Sequence, residues 1–136
     1  MAASDEARRY LNKAIEDEYV VNRLLEDAAA PDSMVGFHAQ QAAEKLLKAA
    51  LFLAEVAPPR THNLAELLDL AATHCGDLPP NSEDLRWLTP YAVLYRYEGE
   101  ADEDAAPVSL HDARERIQCL RVWVEKLLKS KEDSAH

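Results

Sequence analysis

Three short stretches of this chain hold residue types that can do chemistry. Residues 37–49 read Phe37-His38-Ala39-Gln40-Gln41-Ala42-Ala43-Glu44-Lys45-Leu46-Leu47-Lys48-Ala49, residues 61–64 read Thr61-His62-Asn63-Leu64, and Arg96-Tyr97 stand together farther on. At helical pitch His38, Gln41, Glu44, Lys45 and Lys48 fall on adjoining turns of one polar face. That face combines an imidazole, which moves protons near neutral pH, with a carboxylate and two ammonium groups. Arg96 adds a planar fork that meets a phosphate with two hydrogen bonds at once. Plainer readings stand beside these. Glu44 and Lys48 form a favourable i,i+4 pair worth roughly 0.2–0.5 kcal/mol if exposed, and a hydrated surface accounts for His38 as well as a site does. Arg96 either faces a ligand or pairs with Glu18 or Asp17 and holds helices in register; both hold if that pair lines a cleft.

Charge and cysteine usage narrow the partners. The 136 residues carry a formal net charge of −10, which removes any general attraction to phosphate backbones and disfavours broad coating of DNA or RNA. A local basic patch can still take a nucleotide or one strand. Cys75 and Cys119 form no CxxC or Cys/His ladder, so they read as buried free thiols rather than a disulfide or a zinc site. Glu98, Glu100, Asp102, Glu103 and Asp104 place five acids in seven residues. Without the fixed glycine and ligand alternation of a calcium loop, that run reads as a solvated tether or a partner-facing surface. There is no phosphate-gripping glycine-rich loop, nucleophile elbow or zinc helix, and no metal or cofactor is expected. The start Met1-Ala2-Ala3-Ser4-Asp5-Glu6 makes no apolar signal core and no run approaches membrane-spanning length, so the expectation is a cytoplasmic protein with no membrane partner.

The elements that must position these residues are helices. Ala7, Leu11, Ala14, Val21, Leu25 and Ala28 recur at steps of three and four and predict a first helix from Asp5 to about Ala29, capped by Ser4, with Glu18 on its seam. A second helix is predicted over about Met34 to Val56, capped by Ser33, on the line Ala39, Ala43, Leu46, Ala50 and Leu53 widened by Ala42, Leu47 and Ala49. Pro58 and Pro59 stiffen the following connector. Asn63 with Glu66 predicts the start of a third helix, with Thr61 a competing start, and Cys75-Gly76 its end. Leu85, Leu88, Ala92 and Tyr95 predict a fourth helix fading near Tyr97 and kinked or broken by Pro90. Residues 98–107 read as an acidic exposed loop. Ser109 and Asp112 open a last helix on Ala113, Ile117, Leu120, Val124 and Leu127, and residues 129–136 read as a frayed tail. The sum is an all-α, single-domain chain, an up-and-down four-helix bundle with an additional short helix, its core at about residues 5–128.

The Phe37–Ala49 block, the Thr61-His62-Asn63-Leu64 start and Arg96-Tyr97 together resemble the HEPN family, small all-helical domains found in prokaryotic toxin–antitoxin pairs and linked to nucleotide or RNA binding. The resemblance implies a homodimer and a nucleotide-binding or interaction module that partners a minimal nucleotidyltransferase in a toxin–antitoxin-like pair. It marks Arg96, Tyr97, Glu44, Lys45, Lys48, His62 and His38 as ligand-binding candidates and puts Arg96 at the mouth of the bundle cleft. In its Arg-Tyr subgroup a proline and an acid usually follow; here Glu98 and Gly99 do. His62 then reads either as a cleft imidazole near Glu44 and Lys45 or as a histidine bonded to the neighbouring helix end. Ribonuclease members of the family carry Arg followed four to six residues later by His. Arg60 to His62 is too short, Arg96 to His111 is too long, and Arg23 and His38 lie on different helices. That absence favours a binding module over an enzyme. The alternative is a metal-independent endoribonuclease in which folding brings Arg96 to His62 or His38, supplying a cation over the phosphate and an imidazole to move the proton.

Overall fold

Alanine spacing makes one helix the centre of the molecule. Ala39, Ala42, Ala43, Ala49 and Ala50 are all buried, and small side chains on several sides let neighbouring helix backbones approach from each of them. This helix, α2 (Asp32–Leu53), buries thirteen of its 22 residues. The computed structural model describes residues 2–93 and 108–134. Around α2 lie α1 (Ala2–Leu25), α3 (Leu64–His74), a 3₁₀ segment (Ser82–Val93) and α4 (Leu110–Ser134). No strand occurs among the described residues.

Side-chain pairings give the directions. Tyr10 meets Phe52, with ring centroids 5.3 Å apart, while Asp17 meets His38 and Lys45, so α1 and α2 run antiparallel. Arg8 bonds Glu132 and Glu18 bonds Arg121, so α4 is antiparallel to α1 as well. The 3₁₀ segment runs against α4, Asp84 meeting Arg116 and Tyr91 lying near the start of α4. The result is an up-and-down helical bundle with α3 as the short extra helix, as the apolar spacing predicts.

The expected fourth long helix is corrected. Residues 82–93 form a 3₁₀ segment, and residues 94–107, including Arg96, Tyr97 and the acidic run, lie outside the described residues. A 3₁₀ helix repeats every three residues, so side chains at i and i+3 eclipse. Ser82, Leu85, Leu88 and Tyr91 follow that interval, the first three buried and Tyr91 half-buried. Pro90 supplies no N–H for an α-helical bond, and the Thr89 hydroxyl accepts the Leu64 N–H at 3.0 Å, tying the segment to the first turn of α3. Tyr91 also explains Gly36, because a Cβ there would sit 2.3 Å from the tyrosine Cδ1.

Helix ends shift from their expected places. α1 begins at Ala2, which puts Ser4 inside its first turn rather than at the cap, and it ends at Leu25 with Ala28 exposed. Pro31, not Ser33, precedes α2, with no side-chain cap bond. Asn63 caps α3 as expected, accepting from the N–H groups of Ala65 and Glu66 at 3.0 and 3.4 Å. Gly76 follows α3 at φ +90, a conformation glycine adopts without strain. Ser109 Oγ accepts the Asp112 N–H at 3.0 Å to open α4, and α4 runs on to Ser134 through the stretch read as frayed. The cysteines also differ from expectation: Cys75 is half-buried and Cys119 exposed, neither of them fully buried. Among the described residues no helix is long and apolar enough to cross a membrane, and no cluster of His, Cys, Asp or Glu is placed to hold a metal ion.

Candidate functional site

Gln40, Glu44 and Lys48 succeed one another at i,i+4 on the flank of α2 that meets the connector at residues 54–63, and that spacing builds a network around one carboxylate. Glu44 is buried, 6% exposed. Its Oε1 accepts from Gln40 Nε2 at 3.0 Å and from His62 Nδ1 at 2.8 Å, and its Oε2 accepts from Lys48 Nζ at 2.9 Å. Gln40 Nε2 also donates to the His62 carbonyl at 3.2 Å, which fixes the backbone as well as the ring. Gln41 Nε2 completes the chain, donating to Gln40 Oε1 at 2.7 Å. Burial pushes the Glu44 carboxyl up, but hydrogen bonds from Gln40, His62 and Lys48 and the Lys48 charge together outweigh it and hold the group below its ordinary range. An ionised carboxylate only accepts, so the His62 Nδ1 carries the hydrogen and neutral His62 has a bare Nε2.

The other flank of α2 repeats this chemistry with α1 as the source of the acid. Asp17 Oδ1 meets His38 Nδ1 at 3.0 Å, and Oδ2 accepts from Lys45 Nζ at 2.5 Å. In both clusters one carboxylate oxygen holds an imidazole and the other an ammonium. The imidazoles differ in access: the side chain of His62 is 67% exposed, that of His38 27%.

The structure therefore brings Glu44, Lys48 and His62 into one cluster and ties His38 and Lys45 into another, through Asp17, on the other flank of α2. Arg96 and Tyr97 lie outside the described residues. The two acids proposed as partners for Arg96 are otherwise engaged, Asp17 as above and Glu18 with Arg121 Nε at 2.7 Å. Arg121 also bonds Glu125 at 2.8 Å, joining α1 to α4 on the side of α1 away from Asp17. Because both lysines of the α2 face are already ion-paired, the face is close to charge-balanced and offers no surplus fixed cation. Two concavities, of about 440 and 340 Å³, lie elsewhere, one along residues 76–83 with Ala72 and the other where Leu25, Asp32, Tyr91 and the start of α4 meet. Neither is lined by a residue of this face.

Two participants escaped sequence reasoning. Gln40 sits one turn before Glu44, so its spacing was visible, but its full burial was not. Asp17 as the partner of His38 and Lys45 leaves no local signal, since 21 and 28 positions separate them.

A family model described as HEPN domain matches residues 7–131. No curated protein and no solved structure matches the chain.

Proposed function

This chain belongs to the HEPN family, and from that footing we propose that it is a nucleotide- or RNA-binding interaction module whose ligand lies across the polar face of α2. The observation that carries the reading is His62: its ring is anchored through Nδ1 to the buried Glu44, whose other oxygen holds Lys48, while its side chain stays 67% exposed. A group held from behind and open in front loses little freedom when a ligand arrives. Arg96 and Tyr97 are proposed to complete the contact. The proposal extends to a homodimer and to a minimal nucleotidyltransferase partner in a toxin–antitoxin-like pair. Among the described residues Ile15, Tyr19, Met34, Trp87 and Val122 are the exposed large apolar residues available for partners.

Thermal denaturation with millimolar ATP tests the ligand claim. The melting temperature rises if it holds, and Arg96→Ala and His62→Ala each shrink the rise; no shift with ATP and no binding of an RNA oligonucleotide overturns it. Light scattering tests the homodimer, which a monomer at working concentration refutes. Recovery of a minimal nucleotidyltransferase with the tagged chain from its native cells tests the partner, and recovery of the chain alone counts against it.

One observation favours a second reading, metal-independent RNA cleavage. The carboxylate-held His62 with a bare Nε2 is the arrangement a general base needs. It would take the proton of a ribose 2′-hydroxyl as that oxygen attacks the adjacent phosphorus; the bond to the 5′-oxygen breaks and the leaving oxygen takes a proton from water. Arg96 would stabilise the phosphorane charge. Incubation of pure protein with RNA and a chelator decides between the two readings, because cleavage lost in both Arg96→Ala and His62→Ala belongs to the second alone.

A further inference from the structure

We propose that His62 is a specificity residue that accepts a hydrogen bond from a ribose hydroxyl, and that Glu44 positions it for this by fixing its tautomer. The inference rests on the nucleotide-binding reading above and goes further, naming which part of the ligand this face recognises.

Four observations carry it. His62 Nδ1 lies 2.8 Å from Glu44 Oε1, an oxygen that only accepts, so the ring hydrogen is committed to the protein. Glu44 cannot swing toward solvent, because its side chain is 7% exposed and its other oxygen is held by Lys48 at 2.9 Å. The His62 backbone is fixed in turn by its carbonyl bond from Gln40. The outward edge of the neutral ring thus presents a lone pair with no hydrogen.

That lone pair repels the oxygens of a phosphate and attracts an O–H or N–H donor. A phosphate held by these residues alone would need a surplus cation, and the two lysines of α2 are taken, Lys48 by Glu44 and Lys45 by Asp17. A base read by its edge calls for an aromatic platform or a slot, and neither of the two concavities described above, among the described residues, touches this face. A sugar hydroxyl needs neither. His38, tied the same way to Asp17, supplies a second, more recessed imidazole on the opposite flank.

Paired ligands that differ only in hydroxyl groups test the assignment. The full chain is titrated with ATP against 2′,3′-dideoxy-ATP, and with octauridylate against octadeoxyuridylate; the first pair probes a free nucleotide, the second a strand. The expected result is about three- to tenfold tighter binding of the hydroxyl-bearing member in at least one pair, the size of effect one hydrogen bond gives. His62→Ala abolishes the preference between the members of each pair. Ring-nitrogen NMR supplies an independent readout. His62 carries its hydrogen on Nδ1 in the wild type, and Glu44→Gln, checked for folding by circular dichroism, shifts population to the Nε2–H form. Equal affinities within both pairs, or an Nε2–H tautomer in the wild type, overturn the assignment while the binding reading survives. Failure to bind any of the four ligands overturns both.

Discussion

The Asp17 and Glu44 clusters are built from the same three groups, a carboxylate, an imidazole and an ammonium, yet they join different parts of the molecule. Asp17 reaches across from α1 and takes both of its donors from α2, so its cluster clamps two antiparallel helices. Glu44 takes Gln40 and Lys48 from its own helix and spends its one long-range bond on His62, so its cluster tethers a connector. Access follows from this division. A histidine within a helix–helix seam is shielded, as His38 is, whereas a histidine on a connector stands out from the bundle, as His62 does. The same chemistry thereby yields a structural clamp on one flank and a solvent-exposed imidazole on the other.

Removing each acid gives the largest test of that difference. Glu44→Ala strands the ammonium of Lys48, whose side chain is 11% exposed, removes one bond from the buried amide of Gln40, and should cost about 3 kcal/mol. Asp17→Ala should cost less, about 2 kcal/mol, because Lys45 is 24% exposed and can turn to water. Urea denaturation compares them, and equal losses would erase the distinction drawn here.

Acid separates the clusters further. Glu44 has a folded pKa below its unfolded value, so its stabilisation is fully present above the ordinary glutamate value of about 4.3 and is lost as pH falls through the lower, folded value. Denaturation midpoints followed from pH 7 to pH 3 should fall more steeply in the wild type than in Glu44→Gln, which has no proton to take up. A variant as acid-sensitive as the wild type would assign the loss to other carboxylates.

The smallest effects concern the imidazoles. His38→Ala should cost about 1 kcal/mol, the worth of one net hydrogen bond in a partly buried setting. His62→Ala should stay within about 0.5 kcal/mol, as exposed positions do. Ligand binding should show the reverse order, with His62→Ala the more damaging. A large stability loss at His62 would recast it as a structural staple.

Much of this was legible before any coordinates. The Ala39, Ala43, Leu46, Ala50 and Leu53 line requires burial of one side of α2, and Asn63 carries the short acceptor side chain that a helix start demands. The 3₁₀ segment was harder to see. Leu85 and Leu88 fit a period of 3.0 as well as one of 3.6, and only Ser82 and Tyr91 continuing the three-residue step separate the two. Ser4 and Ser33 looked like caps by type, but the helices begin before them. At the site, Glu44 and Lys48 were readable as an i,i+4 pair, and His62 was placed near Glu44 by family resemblance rather than by spacing.

The sequence by itself determined the elements, because helical periodicity and capping are local properties written within a turn or two of each residue. It also held one cluster in outline, since Gln40, Glu44 and Lys48 are neighbours on a single helix. Only the tertiary structure decided that Asp17 meets His38 and Lys45, that both lysines are spent on acids, and that His62 is the open imidazole while His38 is the shielded one. Such outcomes depend on how helices far apart in the chain are set against each other, and no short-range pattern encodes that placement.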